Sequence, residues 1–276
     1  MKAEHFKLLG REIFIRFRIN GGGRIPVLFL HGIGESGRCF FDAFGLSPKK
    51  YDIIVPDLLG FGKSEKVKDA PDYSFSFQVK ILREIISLFD LKDIALVGHS
   101  YGGVLGTYLC GDDDKGRIKK FMNVEGCITR DTLVLSTSAA NAFRDSKGDI
   151  SEFGKWLREG GFKKSVLEDN ESASTIKYFD SVIECDPEAF AQTAAEFMKR
   201  TEGEDEQGNN EISVAYRQLE LPRIYCVGAR PVMDSTKDFL SRNNLVWKGF
   251  NVASHWVMLD AKEEFYAFLE GYIESW

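Results

Sequence analysis

The chain has 276 residues, of which 43% are hydrophobic and 28% charged, and a formal net charge of −6. These values fit a soluble globular protein with room for a sizeable core. No basic cluster marks a nucleic-acid or anionic-membrane partner, and no apolar run nears the roughly 20 residues of a membrane span. Met1–Arg11 also lacks the apolar core of a secretory signal.

The first strand expected in chain order runs from Ile13 to Ile19, where apolar residues alternate with Phe14, Arg16 and Arg18. Asn20-Gly21-Gly22-Gly23 turns the chain. Short all-apolar runs follow at Pro26 to Leu30, Ile53 to Val55, Ile94 to Val97, Phe121 to Val124 and Ile224 to Val227. Runs of this length suit strands of a parallel sheet buried on both faces. Helical patterns lie between them: Phe77, Ile81, Ile85, Leu88 and Phe89 share one face, as do Phe265, Phe268, Leu269, Tyr272 and Ile273. Strands alternating with helices predict an α/β fold, a mostly parallel twisted sheet covered on both sides. From about Thr129 to Arg217 strand-like runs vanish and helical, aromatic-rich patterns follow one another. The expected division is a core of residues 1–128 and 218–276 with a helical cap, or lid, inserted at 129–217.

Chemistry concentrates at Gly98-His99-Ser100-Tyr101-Gly102, directly after one apolar run and directly before a helical stretch. Strand, tight turn and helix with serine at the apex form the G-x-S-x-G nucleophile elbow, whose glycines let neighbouring chain approach without Cβ atoms. A serine hydroxyl needs a base. His255 is the candidate, because it sits in a short loop between the strand-like Val246 to Val252 and the last amphipathic helix. His99 adjoins the nucleophile and points away from it, His31 shapes a loop, and His5 has no evident role. The turn His31-Gly32-Ile33-Gly34 follows another strand, so the backbone N–H groups of Ile33 and Tyr101 are the natural pair of oxyanion donors. The four histidines have no metal-binding spacing, and no metal or other cofactor is expected. Five cysteines, Cys39, Cys110, Cys127, Cys185 and Cys226, are odd in number and lack C-x-x-C spacing, which suits a reducing cytoplasm.

On the His31-Gly32 turn, the Asp57-Leu58-Leu59-Gly60-Phe61-Gly62-Lys63-Ser64 segment, the Gly98 to Gly103 elbow and the terminal His255 segment, in that order, the chain resembles α/β-hydrolase-fold serine hydrolases. The resemblance implies that Asp57 belongs to a structural turn. It also implies an acid to orient His255, and here the sequence departs from the commoner pattern. Relatives usually carry an aspartate about three residues beyond the glycine that ends the seventh strand, where this chain has Pro231. A minority carry the acid after the sixth strand, and Glu125 ends the run Phe121-Met122-Asn123-Val124. Glu125 is therefore the expected acid and Asp234 the alternative, with a helix cap as the plainer role of Asp234. Asp260 reads as the cap of the last helix.

The implied activity is a serine hydrolase, a carboxylic-ester hydrolase first, acting on a small or medium acyl ester or a related thioester, lactone, amide or C–C bond. The implied partner is a small-molecule acyl substrate, with apolar acyl groups favoured by the aromatic lid, and neither nucleic acid nor membrane. The oligomeric state is left open. The rival is a receptor or scaffold that keeps the fold with little or no turnover.

Overall fold

The computed structural model describes residues 1–68, 72–166 and 172–275. Eight strands form one sheet: β1 (Lys2–Leu8), β2 (Arg11–Arg18), β3 (Ile25–Leu30), β4 (Tyr51–Pro56), β5 (Ile94–His99), β6 (Ile118–Val124), β7 (Arg223–Gly228) and β8 (Trp247–Phe250). Their order is β1-β2-β4-β3-β5-β6-β7-β8. β1 and β2 form an antiparallel hairpin and β2 runs antiparallel to β4, while every pairing from β4 to β8 is parallel. The all-apolar runs end up inside: β4 and β5 are buried throughout, and β3 from its second residue. Chain order reverses where β3 lies between β4 and β5, and the crevice beyond the strands' carboxyl ends at such a point is where open α/β sheets bind ligands.

Two features differ from the sequence expectation. β2 is buried on both faces from Ile13 to Phe17, because the guanidinium of Arg16 is neutralised inside by Asp57 at 2.6 Å. β1 has no apolar periodicity to announce it. It is an edge strand whose lysines and glutamate stay in water, and Phe6 anchors it by packing on Phe17 and Phe89.

Helices α1 (Phe75–Leu88) and α2 (Tyr101–Gly111) flank β5 in sequence, and Ser74 caps α1 by accepting the Phe77 N–H. Between β6 and β7 lie α3 (Val134–Asp145), α4 (Ile150–Arg158), α5 (Gly161–Val166), α6 (Ala173–Val182), α7 (Pro187–Arg200) and α8 (Glu211–Gln218), with no strand among the described residues there. A core of rings, Phe153, Trp156, Phe162, Tyr178, Phe179 and Phe190, joins α4 to α7, with Phe153 stacked on Trp156 and the other pairs tilted or edge to face. After β7 come α9 (Asp234–Arg242), then α10 (Val257–Asp260) and α11 (Lys262–Glu274) beyond β8. No helix of the described residues is long and apolar enough to cross a membrane, and all five cysteines are free.

Candidate active site

The backbone ladder of the sheet continues past the strand ends and assembles the site. Ser100 N–H donates to the Val124 carbonyl and Glu125 N–H to that of Cys226, both at 2.9 Å, while Ala229 N–H donates to that of Ala253 at 2.8 Å. Each bond ties one strand end to the next, so the elbow, the β6 turn, the β7 turn and the His255 loop lie side by side.

Ser100 has φ 50° and ψ −114° and is the N-cap of α2. A non-glycine residue in that region is strained and persists only where its surroundings over-determine it. The surroundings are tight: a Cβ on Gly98 would lie 2.3 Å from the Gly102 carbonyl oxygen, and one on Gly102 would lie 2.2 Å from that of Leu30. Both glycines are therefore required by close backbone approach.

His255 and Glu125 meet, with Nδ1 2.9 Å from Oε2. Glu125 is 1% exposed, and its Oε1 accepts the Gly228 N–H at 2.6 Å. Burial alone would push its carboxyl up, but the His255 hydrogen bond and the Arg230 charge outweigh burial and hold it below the usual carboxylate range. Burial, followed by the positive charge of Arg230, pushes His255 down to about 4. Arg230 is the residue that sequence reasoning missed. Its Nη2 ion-pairs with Glu125 Oε2 and lies 3.0 Å from His255 Nδ1. Only the dipeptide Arg230-Pro231 in the place of the usual acid hinted that this turn carried something different.

Asp234, the alternative acid, heads α9, pairs with Lys237 at 3.0 Å and is 72% exposed; the carboxylate at His255 is that of Glu125. Nor is Asp234 a cap, since Met233 holds that position. Asp260 does not cap the last helix either. Its Oδ2 accepts the N–H and hydroxyl of Ser254, which braces the loop carrying His255.

His99 joins a second buried pair. Its Nδ1 lies 2.9 Å from Glu35 Oε2 and its Nε2 3.0 Å from the His255 carbonyl oxygen. Both neighbours are acceptors. Glu35 also accepts the Gly32 N–H at 2.5 Å and the Trp256 indole N–H at 2.6 Å. Burial opposes its ionisation, yet His99, then His31 and the Gly32 N–H, bring it down to about 2. The network fastens the His31–Gly34 turn to the His255 loop. His31 shapes that turn, with Nε2 accepting the Leu58 N–H at 2.9 Å. Asp57 is structural as well, accepting the Gly37 and Lys63 N–H groups besides Arg16.

Ser100, His255 and Ile33 line one cavity of about 170 Å³ together with Arg230, Trp256 and side chains of the β6–β7 segment from Thr132 to Phe179. Among the described residues the Ile33 and Tyr101 amides have no hydrogen-bond partner, and no hydrogen bond joins Ser100 to His255. Catalytic hydrogen bonds are often long without substrate.

Known proteins share this architecture. Residues 25–149 match the family model described as alpha/beta hydrolase fold. An uncharacterized protein of Mycobacterium tuberculosis is 36% identical over 87 residues, 32% of this chain and 25% of that protein. A proline iminopeptidase of Heyndrickxia coagulans is 35% identical over 103 residues, 37% of this chain and 35% of that protein. The matches thus span about a quarter to a third of these relatives' length. Among solved structures, an esterase from Exiguobacterium antarcticum superposes with a TM-score of 0.74 at 16% identity, over 99% of this chain and all of its own. The fold is the α/β-hydrolase fold, and residues 25–149 resemble that family in sequence.

Proposed function

We propose that the chain is a serine hydrolase that cleaves a small or medium carboxylic ester through an acyl-serine intermediate, beneath a lid built from residues 129–217. The observation that carries this reading is the strained Ser100 opening into the same cavity as a histidine whose far nitrogen is held by a buried glutamate. Ser100 Oγ attacks the acyl carbon while His255 Nε2 takes its proton, and the Nδ1–H stays on Glu125. The oxyanion forms beside the amides of Ile33 and Tyr101. The C–O bond then breaks, and the departing alcohol receives the proton from Nε2. Water repeats the sequence on the acyl-serine, releasing the acid and restoring Ser100. The same constellation serves thioesters, lactones, amides and activated C–C bonds. The rival reading, a binding protein with little turnover, draws on the missing acid after the seventh strand, and Glu125 beside His255 favours the enzyme over it. The five free cysteines suit a reducing, cytoplasmic setting.

The test is labelling by a fluorophosphonate probe together with turnover of a graded series of p-nitrophenyl esters. Ser100→Ala abolishes labelling and lowers kcat by about 10⁴ to 10⁶ while the fold persists. A purified variant that keeps more than a tenth of the activity overturns the assignment.

A further inference from the structure

The cavity is walled mainly by apolar side chains, Leu133, Val134, Leu135, Val166, Phe179 and Trp256 among them. Apart from His255, the titratable or charged side chains that line it are Cys127, Tyr178 and Arg230. Burial pushes the Cys127 thiol up to about 11 and the Tyr178 phenol well above its ordinary value, so both are neutral. Among the described residues, Arg230 is the one fixed charge in the lining.

Its bonding is incomplete. All of its polar contacts among the described residues, to Glu125, to the Met233 sulfur and to His255, run through Nη2. Nε is buried without a partner. A guanidinium has five donors in a fixed fork that matches a carboxylate with two parallel hydrogen bonds. A fork used at one nitrogen and lining a mainly apolar cavity can accept a carboxylate.

Counting charges during the reaction leads to the same ligand. At rest one glutamate faces one arginine beside a neutral imidazole. When His255 takes the Ser100 proton, the imidazolium forms together with the oxyanion, and it forms beside Arg230, because Glu125 Oε2 faces both Arg230 and His255. Arg230 then opposes the very charge that the reaction must create. An anion beside Arg230 would offset its repulsion of the imidazolium, and since Arg230 lines the cavity the substrate can supply that anion.

We propose that the cavity takes an acyl group with a carboxylate at its far end, a half-ester of a short dicarboxylic acid or its lactone or thioester equivalent, and that Arg230 binds that carboxylate. The inference rests on the serine-hydrolase reading for its chemistry, though not for its binding. It replaces the preference for apolar acyl groups that the aromatic lid suggests from sequence: the apolar wall holds the methylenes and Arg230 holds the end. The remote carboxylate takes no part in the bond changes and leaves with the acid product.

Two measurements test it. In the first, mono-p-nitrophenyl glutarate is compared with its neutral methyl ester on the wild type, Arg230→Gln and Arg230→Lys, each checked for folding by thermal melting. The expected result is a kcat/KM ratio of about tenfold or more in favour of the charged substrate in the wild type, lost in Arg230→Gln and partly kept in Arg230→Lys, as for a charge-assisted hydrogen bond. A wild-type ratio below one, or a ratio that Arg230→Gln leaves unchanged, overturns the proposal. The second measurement does not need turnover: calorimetry of monomethyl and dimethyl glutarate binding to wild type and Arg230→Gln. Tighter binding of the monoester that vanishes in the variant supports the site; equal affinities refute it. If the anion binds as expected while the fluorophosphonate leaves Ser100 unlabelled, the serine-hydrolase reading has failed and the carboxylate site stands.

Discussion

The turns after β6 and β7 leave the same edge of the sheet and reach the same imidazole, yet they bring it opposite charges. In the β6 turn Glu125 has φ 52°, Asn123 Oδ1 accepts the Gly126 N–H at 2.8 Å, and the Tyr225 hydroxyl donates to the Gly126 carbonyl at 2.6 Å. That turn is short and buried. The β7 turn passes Gly228 and Ala229, presents Arg230, and runs through a single helical turn at Pro231–Met233 into α9. Neighbouring strands are about 4.8 Å apart, less than the reach of a glutamate side chain, so either strand end can deliver a carboxylate to one histidine. The difference teaches that the fold fixes the place of the acid in space and leaves its place in the chain open.

The sharpest way to break the comparison is to neutralise the β6 side. Glu125→Gln leaves the His255 Nδ1 facing an amide and the Arg230 charge uncompensated, and kcat is expected to fall by about 10³ to 10⁴, by analogy with triad acids elsewhere. Steady-state kinetics at pH about 8 checks it, since an unperturbed histidine titrates near 6.5 and is neutral there. A loss of less than tenfold removes Glu125 from the proposed triad.

A stability comparison comes next in size. A Cβ on Gly228 would lie 2.1 Å from the Ser254 carbonyl oxygen and 2.7 Å from that of Ala253, backbone atoms of the loop that carries His255. Gly228→Ala must move that loop, at a cost of about 3 kcal/mol. On Gly126 the Cβ would meet the Asn123 side chain at 2.2 Å, which can turn away at the loss of one hydrogen bond, about 1 kcal/mol. Urea denaturation of both variants measures the two, and equal losses would show that the turns are equally constrained.

Much of this site was legible in the sequence because strand ends and tight turns write themselves in residue order. The apolar runs gave the parallel strands, the glycines around Ser100 gave the elbow, and Pro231 turned attention from the β7 turn to Glu125 at the end of β6. What stayed hidden depends on side-chain direction across long separations. Nothing in Arg230-Pro231 tells that the guanidinium folds back on Glu125, 105 residues earlier in the chain. The Glu35–His99–Trp256 network joins three segments that no spacing relates. β1 was missed because an edge strand in water needs no apolar period.

The cation in the β7 turn also sets a pH dependence. In the proposed mechanism His255 must be neutral to accept the serine proton, and burial, then Arg230, depress it to about 4; His99 on β5 adds in the same direction, while Glu125 opposes. A depressed value keeps the neutral form present at lower pH. The kcat/KM profile is therefore expected to stay flat from pH about 8 to about 5 and to fall on its acid side through about 4 rather than near the ordinary 6.5. Arg230→Gln shifts that limb upward. A wild-type limb at 6.5 or above would show that neither burial nor Arg230 depresses the base, and a limb that Arg230→Gln leaves in place would place Arg230 away from it.

The smallest expected effect is the most discriminating for the chain position of the acid. Asp234 lies in the same β7 segment, four residues beyond Arg230, and its carboxylate is bound to Lys237 at the surface. Asp234→Asn removes the charge and keeps the shape. It also preserves hydrogen-bonding capacity in the first turn of α9, where a negative side chain is worth only about 0.3 to 1 kcal/mol against the helix dipole. Turnover should stay within about twofold of wild type, since the group touches neither His255 nor the cavity lining. Were Asp234→Asn to cost as much as a triad acid while Glu125→Gln stayed active, the β7 turn would have to rearrange in solution so that Asp234 replaced Arg230 beside His255. The contrast between the two turns would then be a property of one conformation rather than of the fold.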